Sequence, residues 1–172
     1  MAEDRFLVAL HELLSLEGGY NDIEQDRGGA TNLGISLRFL QSIRPGATAA
    51  DVRRLTLEDA QAIYRMHFWD RYRCGDLPRP LDVAFFSIVV NLAPTTAVRV
   101  LQNAVCRAGV RVDVDGIIGP QTLMGAASAD RTELKRRLTA ELSVHYHNIV
   151  AQNPSQRTFL HGWMYRAAAL FI

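Results

Sequence analysis

Apolar residues recur every three or four positions through most of the chain, which predicts a mainly α-helical protein. Between Asp4 and Leu16, residues Phe6, Leu7, Leu10, Leu13 and Leu14 fall on one helical face, with Asp4 placed to cap the N-terminus and Gly18-Gly19 to stop the helix. A Gly-rich stretch from Asp26 to Ile35 breaks the pattern and reads as a short irregular hairpin. Ser36 then caps a helix through Leu37, Phe39, Leu40 and Ile43 that Arg44-Pro45-Gly46 ends. A short helix over Val52 and Leu55 starts at Thr48 or Ala49, and Thr56-Leu57-Glu58-Asp59 has the form of a capping box opening the next one.

After the turn at Leu77-Pro78-Arg79-Pro80, Leu81 to Asn91 is almost wholly apolar and predicts a central helix. Thr95 or Thr96 caps a helix that finishes near Gly109. A short extended piece over Val110–Val114 leads to the Asp115-Gly116 turn, and Pro120 opens the following helix. Asp130 caps a long helix carrying Leu134, Leu138, Leu142, His145 and Ile149 at helical spacing, and Asn153-Pro154 breaks it. Phe159, Trp163, Tyr165, Leu170 and Phe171 supply a last apolar helix, expected to pack back on the body.

Composition narrows the classes. Of 172 residues, 48% are hydrophobic and 22% charged, which is the balance of a folded domain with a sizeable core. Nineteen basic against eighteen acidic residues give a net charge of +1, too balanced for affinity built on counterion release, so no nucleic-acid partner is expected. The most apolar internal run, Val83 to Val90, is too short to span a bilayer, so no stable membrane insertion is expected. The residues at the N-terminus, Met1-Ala2-Glu3-Asp4-Arg5, do not form a standard signal peptide. Cys74 and Cys106 are read as free thiols. Asp113-x-Asp115-Gly116 has the start of a calcium loop, but Arg111 and Thr122 stand at its first and last ligand positions. His145 and His147 are not four apart, so no metal and no cofactor are expected.

Candidate chemistry gathers at the first helix end. Glu17 follows the Leu13–Leu14 stripe by three or four residues, where partial burial and the negative end of the helix dipole would both keep its carboxyl protonated. Such a group suits general-acid cleavage, and a solvated helix-end carboxylate is the plainer reading. Nine residues on, Asp26 supplies a second carboxylate, and Thr31 a hydroxyl five further. Glycosidic hydrolysis uses two carboxyl groups, one to protonate the leaving oxygen and one to work on water or the sugar. Asp22 and Glu24 compete with Asp26 but lie outside the Gly-rich turn. Tyr20 reads as a sugar-subsite wall or a core residue, Trp69 as a sugar-contacting wall or a half-buried helix end, and Asn91 as a cleft residue or a hydrogen-bonded structural amide. Gly29 permits close backbone approach to a substrate.

Glu17-Gly18-Gly19-Tyr20 followed by Asp26-x-Gly28-Gly29-x-Thr31-x-x-Gly34-Ile35 resembles the glycoside hydrolase family 108 muramidases, a lysozyme-like group of phage endolysins and secretion-associated enzymes. Ala62-Ile63-Tyr64, Phe68-Trp69-Asp70, Asp76-Leu77-Pro78, Val90-Asn91, Leu101-Gln102, Asp115-Gly116-Ile117-Ile118-Gly119-Pro120-x-Thr122 and Gly162-Trp163 resemble its later blocks in order. Ser87 stands where an acidic residue is expected, Ala93 where glycine is frequent and Tyr165 where Asn is commoner. These departures bear on the groove and on the preferred peptidoglycan type.

The resemblance implies a lysozyme-like helical fold with the Gly-rich hairpin at the cleft. It implies a catalytic region over 1–92 and, over 93–172, a region similar to a peptidoglycan-binding extension packed on the same body. It also implies hydrolysis of the β-1,4 bond between N-acetylmuramic acid and N-acetylglucosamine. Glu17 would be the acid, Asp26 the base or stabiliser and Thr31 the residue that orients water, with Tyr20, Gly29, Asn91 and Trp69 contacting substrate. The expected partner is the peptidoglycan glycan strand, met by a monomer in the periplasm or on the cell wall after synthesis in the cytoplasm and passage through a holin pore or an export route. A non-catalytic wall-binding protein and a lytic transglycosylase are the rival readings.

Overall fold

A computed structural model describes residues 4–16 and 29–170, which form two compact units, Met1–His67 and Phe68–Ile172. In order come α1 (Arg5–Leu16), β1 (Thr31–Asn32), β2 (Ile35–Ser36), α2 (Leu37–Ile43), α3 (Ala49–Arg53), α4 (Leu57–Tyr64), a π-helical stretch (Arg65–Asp70), a 3-10 turn (Cys74–Asp76), α5 (Leu81–Asn91), α6 (Pro94–Arg107), α7 (Pro120–Ser128), α8 (Arg131–Gln152), a second 3-10 turn (Pro154–Gln156) and α9 (Arg157–Ala169). The fold is mainly α.

In the first unit, α1 begins where Asp4 Oδ1 accepts the Phe6 N–H at 3.1 Å. Its buried stripe is Phe6, Ala9, Leu10 and Leu13, whereas Leu7, expected on that face, is 45% exposed. Ala9 takes the inner position because Phe6, Leu10 and Leu13 set the stripe's axis and Leu7 lies about 100° round from Phe6. Arg65 pairs with Asp4 and lays its guanidinium 4.4 Å from the Phe6 ring centre, tying the helix start to the end of α4. Ser36 caps α2 through the Phe39 N–H at 3.2 Å. Thr48–Asp51 and Thr56–Asp59 form reciprocal capping boxes on α3 and α4.

The second unit is built on α5. Leu81 through Phe86, Ile88 and Val89 are all buried, so this helix has no solvent stripe and needs neighbours on every side. Trp69 meets Phe86 edge-on at 5.6 Å. Helix α6 packs chiefly on α8, bringing Val98, Leu101 and Val105 into one core with Leu134, Leu138 and Leu142. It starts at Pro94, earlier than the threonine caps expected from sequence, because Pro94 at the first helical position has its φ already set for a helix. Helix α9 packs on α8, but only Ala167 is fully buried. It packs back on the body as expected, with Phe159 and Tyr165 of its apolar set more than half exposed.

The Asp115-Gly116 turn is organised by one buried amide. Gln102 Oε1 accepts the Gly116 N–H at 2.9 Å, while its Nε2 lies 2.8 Å from Asp115 Oδ1 and 3.1 Å from both the Ile117 carbonyl and Thr122 Oγ1. Asp115 Oδ1 also accepts the Ile117 N–H, and these two bonds hold its carboxyl below the usual range. Gly116 sits at φ +82°, and a Cβ there would lie 2.6 Å from Thr95 Cγ2 and 3.2 Å from the Thr95 carbonyl oxygen. On α8, Glu133 accepts from both Arg136 and Arg137, so the basic cluster expected as a solvated face is partly neutralised, and the Glu133 carboxyl is pulled down to about 2.

Gly116→Ala should lower stability by about 1–3 kcal/mol through left-handed strain and the contact with Thr95, read as a fall in the urea midpoint; an unchanged midpoint would contradict the tight-turn account. Glu133 titrates lower in the folded than in the unfolded chain, so its contribution is present above its ordinary value of 4.5 and is lost as pH falls towards 2. Glu133→Gln should therefore flatten the stability–pH curve across that window, and a curve of unchanged shape would refute it.

Candidate functional site

The hairpin of the first unit holds Thr31, one of the described residues of the expected site. Thr31 pairs with Ser36 and Asn32 with Ile35, joined by the two-residue turn Leu33-Gly34. Both turn residues have positive φ, +51° and +74°, the mirror-image turn whose twist matches that of the paired strands. Glycine adopts this freely, but leucine does not, so Leu33 must be held from outside. The Tyr64 hydroxyl donates to the Leu33 carbonyl at 3.1 Å from a side chain that is 1% exposed. The Asn32 amide lies 3.1 to 3.4 Å from the carbonyls of Val52, Arg53 and Leu55, pinning the first strand to the end of α3. Leu37 N–H closes the base on the Ala30 carbonyl at 2.8 Å.

Thr31 is set by this frame. Half-buried, it donates from Oγ1 to the Gly29 carbonyl at 3.3 Å, and Gly29 has φ +70°. The oxygen keeps lone pairs able to accept from water, which is the chemistry a water-orienting residue needs. Glu17, Tyr20 and Asp26, with the competing Asp22 and Glu24, lie outside the described residues.

The two expected substrate contacts of the second unit are placed differently. Trp69 is 6% exposed, with Phe86 at its edge and Gly75 against its indole, where an added Cβ would meet Nε1 at 3.1 Å; its surroundings are those of a core residue. Asn91 ends α5 exposed, and its Nδ2 donates to the Ser87 carbonyl at 2.8 Å. It borders a cleft of about 300 Å³ that also takes in His145, Tyr146, Trp163 and Arg166. Ala93 lines the same cleft and Ser87 a small cavity beside it, so two of the three departures from the family pattern fall at this place. Among the described residues, no three His, Cys, Asp or Glu side chains are grouped to hold a metal ion.

Sequence reasoning saw Tyr64 only as an inward-facing residue and Asn32 only as a motif spacer. The positive φ of Leu33 was the missing signal, since an Asn-x-Gly turn between short strands asks for something to secure it. The second-unit cleft was missed because Asn91, His145 and Arg166 are far apart in the chain.

A helical body carrying a glycine-bounded hairpin is one setting for glycoside-cleaving chemistry, and comparison with known proteins gives the class. Residues 10–92 match the family Glycosyl hydrolase 108, and residues 96–168 match the Predicted Peptidoglycan domain. The chain belongs to glycosyl hydrolase family 108. Among solved structures it is similar to SagA of Brucella abortus, with 31% sequence identity, a TM-score of 0.82 and coverage of 96% of this chain and 90% of that one. No curated protein matches it. The two matched regions meet between 92 and 96, whereas the compact units meet at His67 and Phe68. The difference arises because α5 packs with α6.

Tyr64→Phe removes the donor to Leu33 and should cost about 1–2 kcal/mol. Urea unfolding with an unchanged midpoint would show that this bond does not secure the turn.

Proposed function

We propose that the chain is a muramidase, hydrolysing the β-1,4 bond between N-acetylmuramic acid and N-acetylglucosamine in peptidoglycan. The observation that carries this reading is the run from Glu17 to Ile35, two carboxylates and a hydroxyl on a glycine-rich frame inside a region that matches a glycosyl hydrolase family. The matched peptidoglycan domain supplies the substrate class.

In this mechanism Glu17 protonates the leaving glycosidic oxygen. Asp26 deprotonates the attacking water or stabilises the developing oxocarbenium ion, and Thr31 Oγ1 orients that water. Tyr20 walls a sugar subsite, and Gly29 lets the backbone approach the glycan. We read the mechanism as inverting, the class in which water works between two carboxyls roughly 6.5–9.5 Å apart. The glycan lies beyond the cytoplasmic membrane, so the chain reaches it through a holin-type pore or an export route. It works there as a monomer.

Glu17→Gln should reduce clearing of purified sacculi by about 10²–10⁴-fold, the usual worth of a general acid. Asp26→Asn should cost less and Thr31→Ala less again, each with an unchanged circular dichroism spectrum. Near-normal clearing by folded Glu17→Gln protein would sink the assignment.

A further inference from the structure

The second unit carries a cleft that the mechanism above does not use. Four segments converge on it: the end of α5 with Asn91, the first turn of α6 with Thr96, the middle of α8 with His145 and Tyr146, and α9 with Trp163 and Arg166. Its volume of about 300 Å³ is at the lower end for small-molecule sites, the size of one sugar with part of a substituent.

The lining is aromatic on one side and polar on the other. Tyr146 is nearly buried, and the half-buried Trp163 lies across it with ring centres 5.4 Å apart and planes 30° apart. Phe159 also stacks on Trp163, with ring centres 6.0 Å apart. Two rings beside an open cleft are the surface on which the apolar C–H face of a sugar stacks. Arg166 brings a guanidinium to the same cleft, its charge felt by the Tyr146 phenol, whose pKa burial itself pushes up. A guanidinium on a partly desolvated wall selects a planar carboxylate. The Asn91 amide, one N–H committed to the Ser87 carbonyl, is oriented and keeps a second donor and an acceptor for an acetamido group. Beside this wall, Ser87 Oγ is buried without a hydrogen-bond partner among the described residues, in a small cavity that shares Asn91, Tyr146 and Arg166 with the cleft.

We propose that this cleft is a saccharide subsite for the muramyl residue, with the sugar face on Trp163 and Tyr146, the acetamido group at Asn91 and the carboxylate of the lactyl-linked stem at Arg166. The identity of the sugar rests on the muramidase reading; the stacking and carboxylate chemistry do not. Such a subsite gives the glycan a second hold and a preference for strands that still carry stem peptides.

The test is titration of the Glu17→Gln protein, which cannot turn over its ligand, with N-acetylmuramyl-L-alanyl-D-isoglutamine and with N,N'-diacetylchitobiose, which has the acetamido groups and no carboxylate. Calorimetry reads affinity, and tryptophan fluorescence reports Trp163 against the buried Trp69. The muramyl ligand should bind more tightly than the chitobiose and shift the fluorescence. Adding Arg166→Gln should weaken the muramyl ligand by about ten-fold or more and erase its advantage. Adding Trp163→Ala should weaken both ligands, and Trp163→Phe should restore both. No muramyl binding, or equal binding in all of these variants, would overturn the subsite while leaving hydrolysis by the wild type as a separate result. Muramyl binding that depends on Arg166 in a protein that releases nothing from sacculi would uphold the subsite and reject the muramidase.

Discussion

A helix with no polar face has to be surrounded, and α5 imposes that condition on the second unit. Apart from Asp82 and Ser87, Leu81 to Val89 present apolar side chains, so the 3-10 turn of Cys74–Asp76 and helix α6 pack onto this one rod, with Trp69 against its Phe86. Wrapping also decides where chemistry can appear, because an exposed polar side chain returns only at the end of the rod. Asn91 is the first exposed position after the buried run, and the cleft lined by His145, Trp163 and Arg166 opens there. Packing and recognition are thus consecutive parts of one helix.

Two buried polar side chains do comparable work on a smaller scale. Tyr64 holds a leucine in a left-handed turn by donating to its carbonyl, and Gln102 holds the Asp115-Gly116 turn by answering a donor and several acceptors at once. In each case a core residue reaches out to fix a loop whose own sequence would leave it loose, which makes the loop rigid without a disulfide or a metal. Thr31 gains its fixed position from the first of these arrangements.

Much of this was legible before any coordinates. The α2 cap at Ser36, the helix start at Thr48, the capping box at Thr56, the nearly all-apolar α5 and the long α8 behind Asp130 follow from spacing and capping chemistry, which act over a few residues. Leu7 is exposed although it shares the apolar spacing of α1, because helical spacing shows which face a residue is on and says nothing of whether a partner covers that face; the exposed Phe159 and Tyr165 of α9 show the same. Of the expected site, Thr31, Gly29, Asn91 and Trp69 can be placed, and Trp69 sits in a core setting because Phe86 and Gly75 meet it across the fold. Long-range convergence of that kind, like the gathering of Asn91, Tyr146 and Arg166, leaves no periodic trace in the chain.

Mass spectrometry of the soluble products released from purified sacculi tests the central claim most directly. The account predicts muropeptides ending in reducing N-acetylmuramic acid, since the proposed mechanism has water as the acceptor, positioned by Asp26 and Thr31. Products ending in anhydro-muramic acid would contradict it and show cleavage without water, and sacculi that bind the protein yet release nothing would leave a wall-binding chain in place of an enzyme.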